Sequence, residues 1–122
     1  MLETSVLHFD FDKDALTPFN QKYLRDIASA MQSCPAAKIV ISGNCDDRGT
    51  EEYNMALGQR RAYAAKKYLT DLGIDGNRID TVSYGFEKPV DDRQTEEGWA
   101  MNRRDDFSLV GNVAVSSRAN DP

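Results

Sequence analysis

Short apolar runs of strand type alternate with longer segments of helical period along this chain, and this alternation limits the possible folds most strongly. Residues 6–11 alternate in polarity, with Leu7, Phe9 and Phe11 on one face, so they predict a half-buried strand. Three further strands are predicted: residues 39–41 up to Gly43, residues 79–84 up to Gly85, and a last strand that carries Phe107 and Leu109. The chain therefore requires a fold that pairs strands separated by helices.

Helix signals lie between these strands. Thr17 is an N-cap followed by a proline at the first helical position, and apolar residues then recur at helical spacing until Cys34. Thr50 is the N-cap of a second helix, which we expect to end near Leu72, directly before a glycine. A shorter third helix is predicted over residues 97–102.

The order β-α-β-α-β, extended by the short helix and a last strand, predicts an α/β fold. We expect a two-layer sandwich in which the helices pack on one face of a small mixed sheet. The 122 residues match a single domain, whose usual size is about 100–150 residues. Its core is expected over about residues 5–110, with residues 111–122 as a C-terminal strand or tail.

The composition limits the classes of function. Hydrophobic residues make up 40% and charged residues 29%, which is typical of a globular domain. The net charge of −5 argues against binding to nucleic acid or to anionic lipid. No apolar run approaches the roughly 18–20 residues of a membrane helix, and the first residues lack the features of a secretory signal. No metal or cofactor site is predicted, because His8 has no partners at metal-ligand spacing.

An aspartate pair after the first strand permits an enzymatic interpretation. Asp10 and Asp12 have the spacing of the two catalytic aspartates in magnesium-dependent phosphotransferases of the haloacid dehalogenase type. Ser42 and the acidic pair at residues 91–92 would extend that similarity. However, Asp14 stands where that superfamily usually has Thr or Val, and the chain is short for its doubly wound sheet. The other interpretation is that these aspartates are solvated turn residues.

The second helix carries an arginine on its core-facing side. Asn54 and Arg61 are seven residues apart and therefore on one helix face, with Leu57 between them. A half-buried guanidinium needs an anion, and the nearest candidate is Asp46, at the end of the second strand. Two hypotheses follow: an internal Asp46–Arg61 ion pair that holds the loop, or a charged site for a ligand.

Several segments fall in the order and spacing of one known family. They are Phe-Asp-Phe-Asp at residues 9–12, the loop at residues 43–50, Tyr-Asn at 53–54, Leu57, Arg-Ala at 61–62, Tyr-Gly at 84–85, Pro89 and Asn-Arg-Arg at 102–104. Over about residues 5 to 110 the chain resembles the OmpA-like peptidoglycan-binding domain, and within it the branch of the peptidoglycan-associated lipoproteins. Two positions depart from the family pattern: Asn44, where His is usual, and Cys45, where Thr or Ala is common.

The resemblance implies a non-catalytic domain that binds the diaminopimelate side chain of the peptidoglycan peptide stem. It implies that Asp46 meets the ammonium of this group and that Arg61 meets its carboxylate. The other residues that it implies for the ligand pocket are Asn54, Leu57, Phe11, Asp12, Cys45 and Arg103, with Arg104 as the other candidate beside Arg103.

A cellular role is implied by the same resemblance. The domain would tether the outer membrane to the cell wall from the periplasmic face of that membrane. The implied anchor is an N-terminal lipid on a cysteine that this chain lacks. The implied protein partner is a TolB-like periplasmic protein, and neither a cofactor nor an enzymatic activity is implied.

We predict that Cys34 and Cys45 do not form a disulfide bond. The strand between them separates the two by about 20 Å, at roughly 3.3 Å per residue, whereas a bridge needs Cα atoms within about 7 Å. Thiol alkylation of the unfolded, unreduced protein followed by mass spectrometry should show two modified cysteines. Finding no modified cysteine would contradict the predicted position of that strand.

Overall fold

The computed structural model describes residues 5–110, which form four strands and three α-helices. In chain order these elements are β1 (Ser5–His8), α1 (Pro18–Ser33), β2 (Lys38–Asn44), α2 (Glu51–Asp71), β3 (Ile79–Gly85), α3 (Glu96–Asn102) and β4 (Arg104–Val110). A single 3₁₀ turn, Gly76–Arg78, leads into β3. No helix in this part of the chain is long and apolar enough to cross a membrane.

The strands form one mixed sheet with the spatial order β1-β4-β2-β3. β4 pairs antiparallel with both β1 and β2, while β2 and β3 are parallel. Parallel neighbours require a crossover connection, and α2 supplies it. The predicted α/β architecture with a small mixed sheet is therefore confirmed.

The helices begin and end where their capping residues predict. The Thr17 hydroxyl accepts a hydrogen bond from the Asn20 backbone N–H at 3.1 Å, which starts α1. The Thr50 hydroxyl does the same for the backbone N–H of Tyr53 at the start of α2. Gly73 follows the end of α2 with a φ of 101°, a left-handed conformation that favours glycine.

The hydrophobic core lies between the sheet and the helices α1 and α2. Both helices contribute apolar residues at helical spacing, and every strand contributes at least one buried side chain. The core residues are Leu7, Phe9, Leu24, Ile27, Ala28, Met31, Ile39, Ile41, Ala62, Ala65, Leu69, Ile74, Ile79 and Phe107.

The first strand is shorter than the sequence predicts. β1 ends at His8, which pairs with Arg104, the first residue of β4, so the residues after Phe9 have no neighbouring strand. The chain then turns, and Asp12 adopts a left-handed φ of 57°. Phe11 is therefore 54% exposed, and its predicted place on the buried strand face is wrong.

Two further predictions concern the ends of elements and the cysteines. The predicted C-terminal strand or tail over residues 111–122 lies outside the described residues. Neither cysteine is bridged in the structure: Cys34 is exposed at the end of α1, and Cys45 is buried after β2.

The ends of all four strands lie close together at one edge of the sheet. Asn44, at the carboxyl end of β2, lies between Gly85 of β3 and Arg104 of β4, and Arg104 in turn pairs with His8. The loop after β2 leads directly into the amino end of α2. Polar residues from three loops therefore meet at this edge.

We predict that Gly43→Ala strongly destabilises the fold. A Cβ at Gly43 would lie 1.8 Å from the backbone oxygen of Gly58 on α2, so the helix would have to move away from the sheet. The expected loss in the free energy of unfolding is about 2–3 kcal/mol, at the upper end of the usual range for overpacking. Gly76→Ala is the matched control, because its nearest neighbours would lie 3.8 Å away. Equal denaturation midpoints for the two variants would contradict this close packing.

Candidate functional site

A cavity of about 230 Å³ opens at this edge of the sheet. It lies between the loop at residues 9–14, the loop at residues 45–50 and the first turns of α2. Its lining residues are Phe11, Asp12, Cys45, Asp46, Arg48, Gly49, Tyr53, Asn54, Leu57 and Arg61. These include every predicted pocket residue except Arg103 and its alternative, Arg104.

The Arg61 side chain is completely buried at the inner wall of the cavity. Its guanidinium donates three hydrogen bonds to backbone oxygens: to Lys13 at 2.8 Å, to Asn44 at 3.0 Å and to Asp10 at 3.1 Å. Burial lowers the pKa of this group, but an arginine starts so high that it stays protonated at neutral pH. Arg61 thus joins α2 to the loop after β1 and to the end of β2.

Asp46 does not pair with Arg61, so the hypothesis of an internal Asp46–Arg61 ion pair is wrong. Its carboxylate instead contacts Arg48, with Nη2 to Oδ2 at 2.9 Å, and Arg103, with Nη1 to Oδ2 at 3.5 Å. Burial by itself would raise the pKa of Asp46, but the hydrogen bonds and charge of Arg48, with a contribution from Arg103, lower it below its ordinary value. Asp46 is therefore an ionised carboxylate, held between two arginines that both lie closer to it than Arg61 does.

Arg103 lies behind Asp46 and does not line the cavity. Its Nε donates to the Phe9 backbone oxygen at 2.9 Å, and its Nη2 contacts Glu96 at 2.9 Å. Arg104 is also buried, and its guanidinium contacts Asp106 and the backbone oxygens of Asn102 and Lys88. Of the two arginines, only Arg103 touches a residue of the cavity.

Asn54 and Cys45 fix the shape of the loop between β2 and α2. The Asn54 side-chain amide donates to the backbone oxygens of Arg48, at 2.8 Å, and of Thr50, at 3.1 Å. The Cys45 thiol lies 3.2 Å from the Asn54 backbone oxygen. Burial raises the pKa of this thiol to about 11, although the charge of Arg61 opposes the shift. Cys45 is therefore a neutral thiol that packs and donates rather than a nucleophile.

Arg48 forms an outer wall of the cavity between two aromatic rings. Its guanidinium carbon lies 4.1 Å from the ring centre of Phe11 and 4.0 Å from that of Trp99. Such distances are those of cation–π contacts. The stack connects the loop after β1 to α3, and it explains why Phe11 lies at the cavity although it is largely exposed.

The loop that carries Asp12 is fastened to the outside of α2. The Tyr53 hydroxyl donates to the Asp12 carboxylate, and Arg60 pairs with Asp14 at 2.9 Å. Together with the bonds from Arg61, these contacts hold the loop over the amino end of the helix.

The cavity thus presents charges of both signs within a small volume. Asp46 supplies a carboxylate, and Arg61 supplies a guanidinium with two N–H groups beyond the three that already donate to backbone oxygens. A group that carries an ammonium and a carboxylate on one carbon complements such a pair.

Comparison with known proteins places the chain in a family. The sequence model of the OmpA family matches residues 8–103. The peptidoglycan-associated lipoprotein of Haemophilus influenzae is 45% identical over 100 residues, which make up 82% of this chain and 65% of that protein. The chain belongs to the OmpA family. The family predicted from the sequence is therefore confirmed.

Two further OmpA-family similarities support the fold and define its extent. The crystal structure of the peptidoglycan-associated lipoprotein from Burkholderia pseudomallei matches with a TM-score of 0.84 and 42% identity, and the match covers 86% of this chain and 89% of that one. Outer membrane protein A of Bordetella avium is 43% identical over 103 residues, or 84% of this chain and 53% of that protein. The chain thus spans about half to two thirds of the length of these curated relatives.

The OmpA-type topology gives no support to the phosphotransferase interpretation. Asp10 follows a strand that, among residues 5–110, lies at the edge of the sheet and is antiparallel to its neighbour β4, whereas the doubly wound sheet of that superfamily is parallel. Asp12 is engaged by Tyr53. The structure brings neither of the acidic residues 91–92 to the cavity that Asp12 lines.

Sequence reasoning missed several residues of the site. Arg48 lies in the loop at residues 43–50. Its position two residues after Asp46 is typical of an aspartate that accepts from the backbone two residues on, and this spacing is the signal for their contact. Trp99 carried no signal, because its contact with Arg48 depends on the position of α3.

Asp105 was missed as well, although its position in β4 gave a signal. It is two residues before Phe107 and so on the same, inward face of the strand. Its side chain is fully buried, and neither carboxylate oxygen has a hydrogen-bond partner among the described residues. Burial raises the pKa of Asp105 well above its ordinary value, while the charge of Arg61 opposes the rise.

We predict that Asp105→Asn raises the free energy of unfolding at pH 7 and has little effect near pH 4. Because the folded-state pKa is raised, the unfolded chain loses this proton at a lower pH than the folded protein does, so wild-type stability falls as pH rises above about 4. The advantage of the variant should grow by up to about 1.4 kcal/mol per pH unit. Urea denaturation between pH 4 and pH 8 measures this difference in stability, and a constant difference across that range would contradict a raised pKa for the buried Asp105.

Proposed function

We propose that this domain binds the diaminopimelate side chain of the peptidoglycan peptide stem and holds it without chemical turnover. The observation that carries the proposal is the presence of Asp46 and Arg61 on the walls of one cavity of about 230 Å³. That volume lies below the roughly 300–1,000 Å³ of pockets for drug-sized ligands. It therefore suits the end of a side chain better than a sugar polymer.

The chemistry of the ligand matches the two charges. The free end of diaminopimelate has an ammonium and a carboxylate on one carbon, so it is close to neutral overall and unaffected by the net charge of the domain. The planar fork of Arg61 can donate parallel hydrogen bonds to the carboxylate, which a lysine cannot do. Asp46, ionised at neutral pH, is the partner for the ammonium.

The states of the polar groups support binding rather than catalysis. Cys45 is a neutral thiol, and Asp46 is an ion-paired carboxylate with a lowered pKa. A nucleophile needs a thiolate or an adjacent base, and a general base needs a pKa close to the working pH. Neither residue meets these conditions.

The relatives suggest where such a domain would act. Two of the similar proteins are named peptidoglycan-associated lipoproteins, and one is named outer membrane protein A. By this analogy the domain tethers the outer membrane to the cell wall from the periplasmic face, through a lipid anchor on the full-length protein. A TolB-like periplasmic protein is the partner proposed on the same ground.

We predict that Asp46→Asn weakens binding to purified peptidoglycan sacculi at least about thirtyfold. Loss of one partner from a desolvated charge pair costs about 2–5 kcal/mol, and the low end of that range corresponds to this factor. The measurement is co-sedimentation of the protein with protein-free sacculi. Arg61→Lys should also weaken binding, because lysine lacks the planar fork.

A matched control lies elsewhere in the chain. Asp91 is part of a second Asp-Asp-Arg sequence outside the cavity, so Asp91→Asn makes the same change of charge and should leave binding unchanged. Circular dichroism must show that each variant is folded, since Arg61 also holds two loops. If folded Asp46→Asn protein sediments with sacculi as wild type does, the proposed site is wrong.

A further inference from the structure

Asp46, the proposed partner of the ligand ammonium, is already fully occupied in this structure. Its Oδ1 accepts from the Arg48 backbone N–H at 3.1 Å and from Arg48 Nε at 3.3 Å. Its Oδ2 accepts from Arg48 Nη2 at 2.9 Å and from Arg103 Nη1 at 3.5 Å. A further cation can approach this carboxylate closely only if one of the two guanidinium groups leaves.

The two arginines differ in how firmly they are held. The Arg103 side chain is 7% exposed and is fixed by the Phe9 backbone oxygen and by Glu96. The Arg48 side chain is 33% exposed, and apart from Asp46 its guanidinium contacts the rings of Phe11 and Trp99. Arg48 can therefore move outward into water without breaking another hydrogen bond of its side chain, whereas Arg103 cannot.

We propose that Arg48 is an internal competitor of the ligand, whose guanidinium occupies Asp46 in the free protein and is displaced by the incoming ammonium. This inference rests on the proposed function and adds a specificity-determining residue to it. The ligand exchanges one cation for another at Asp46, so its binding free energy is that of the ammonium–Asp46 and carboxylate–Arg61 contacts, reduced by the cost of releasing Arg48.

The sign of the effect of an Arg48 variant separates this role from that of an ordinary contact. A competitor lowers affinity, so its removal tightens binding. A residue that grips the ligand carboxylate raises affinity, so its removal weakens binding. Arg48→Gln removes the charge and the bidentate contact with Asp46 but keeps a polar, shorter side chain.

The experiment is calorimetric titration with a soluble tripeptide that ends in meso-diaminopimelate. We expect Arg48→Gln to bind it about two- to fivefold more tightly than wild type, the factor that corresponds to a partly exposed ion pair. Arg48→Lys, which keeps a charge without the fork, should lie between the two. Arg93→Gln is the matched control, because Arg93 contacts Asp91 in the same Asp-Asp-Arg arrangement outside the cavity. The Arg93→Gln protein should bind the tripeptide with the affinity of wild type.

A second ligand tests the chemistry of the exchange. A tripeptide that ends in 2-aminopimelate has the same carboxylate but no ammonium on the neighbouring carbon, so it leaves the Arg48–Asp46 pair intact. Arg48→Gln should not tighten its binding. If Arg48→Gln weakens the binding of both tripeptides, Arg48 is a carboxylate contact and the inference is overturned.

The single tryptophan of the chain reports the displacement directly. Trp99 stacks on the Arg48 guanidinium at 4.0 Å, so release of Arg48 should change its fluorescence emission. The diaminopimelate tripeptide should change the emission of wild type but not that of Arg48→Gln, although both bind it. An equal change in the two proteins would overturn the inference.

Failure of this inference differs from failure of the proposed function. Wild-type protein that binds neither sacculi nor the diaminopimelate tripeptide would overturn both. Wild-type protein that binds the tripeptide, loses it with Asp46→Asn, and binds it no more tightly with Arg48→Gln would overturn only the role of Arg48.

Discussion

The buried guanidinium of Arg61 is the interaction on which the sheet edge and its cavity depend. Removing such a charge from water costs several kcal/mol unless its hydrogen bonds are replaced. Here three backbone oxygens replace them, at residues 10, 13 and 44, and each bond to a charged group contributes about 1.5–3 kcal/mol. Because these oxygens belong to the loop after β1 and to the end of β2, one side chain of α2 sets the positions of both.

The charges around the cavity form a chain rather than a pair. Arg48 and Arg103 compensate Asp46, while the positive charge of Arg61 faces backbone oxygens and a buried Asp105. Burial disfavours the charged form of Asp105 and so weakens it as a counter-ion of Arg61. The guanidinium therefore keeps two N–H groups beyond its three backbone bonds, and a carboxylate is the kind of group that complements them.

Local signals in the sequence predicted the elements well, and contacts between distant segments account for the errors. The N-caps Thr17 and Thr50 act on backbone groups three residues away, so the starts of α1 and α2 could be placed from the sequence. The end of β1 depends on where β4 begins, almost a hundred residues later, and no local signal places Phe11 outside the sheet.

The same distinction applies to the site. The inward position of Arg61 followed from helical periodicity, and the position of Asp46 followed from the end of a strand. The two do not form an ion pair, because Asp46 is already bound by Arg103, from a segment 57 residues away, and by Arg48, from within the same loop. The set of residues that share the cavity could be predicted, but not which charges touch.

The sequence Asp-Asp-Arg occurs twice in the chain, and the two occurrences show how much the surrounding structure determines the role of an ion pair. Asp-Asp-Arg occurs at residues 46–48 and 91–93, and at both places the first carboxylate accepts from the backbone N–H and the guanidinium of the arginine. At residues 91–93 the arginine side chain is 58% exposed and its partner 17%, so the pair is a surface contact. At residues 46–48 the carboxylate is only 5% exposed.

This difference arises from strand order, not from local sequence. Since β4 lies between β1 and β2, its amino end brings Arg103 against the end of β2, and α2 brings Arg61 to the same edge. There the turn at residues 46–48 forms a wall of a cavity with charges of both signs. The same turn at residues 91–93 only pairs two surface charges. The Asp-Asp-Arg sequence specifies the turn, and the order of the strands specifies which charged groups surround it.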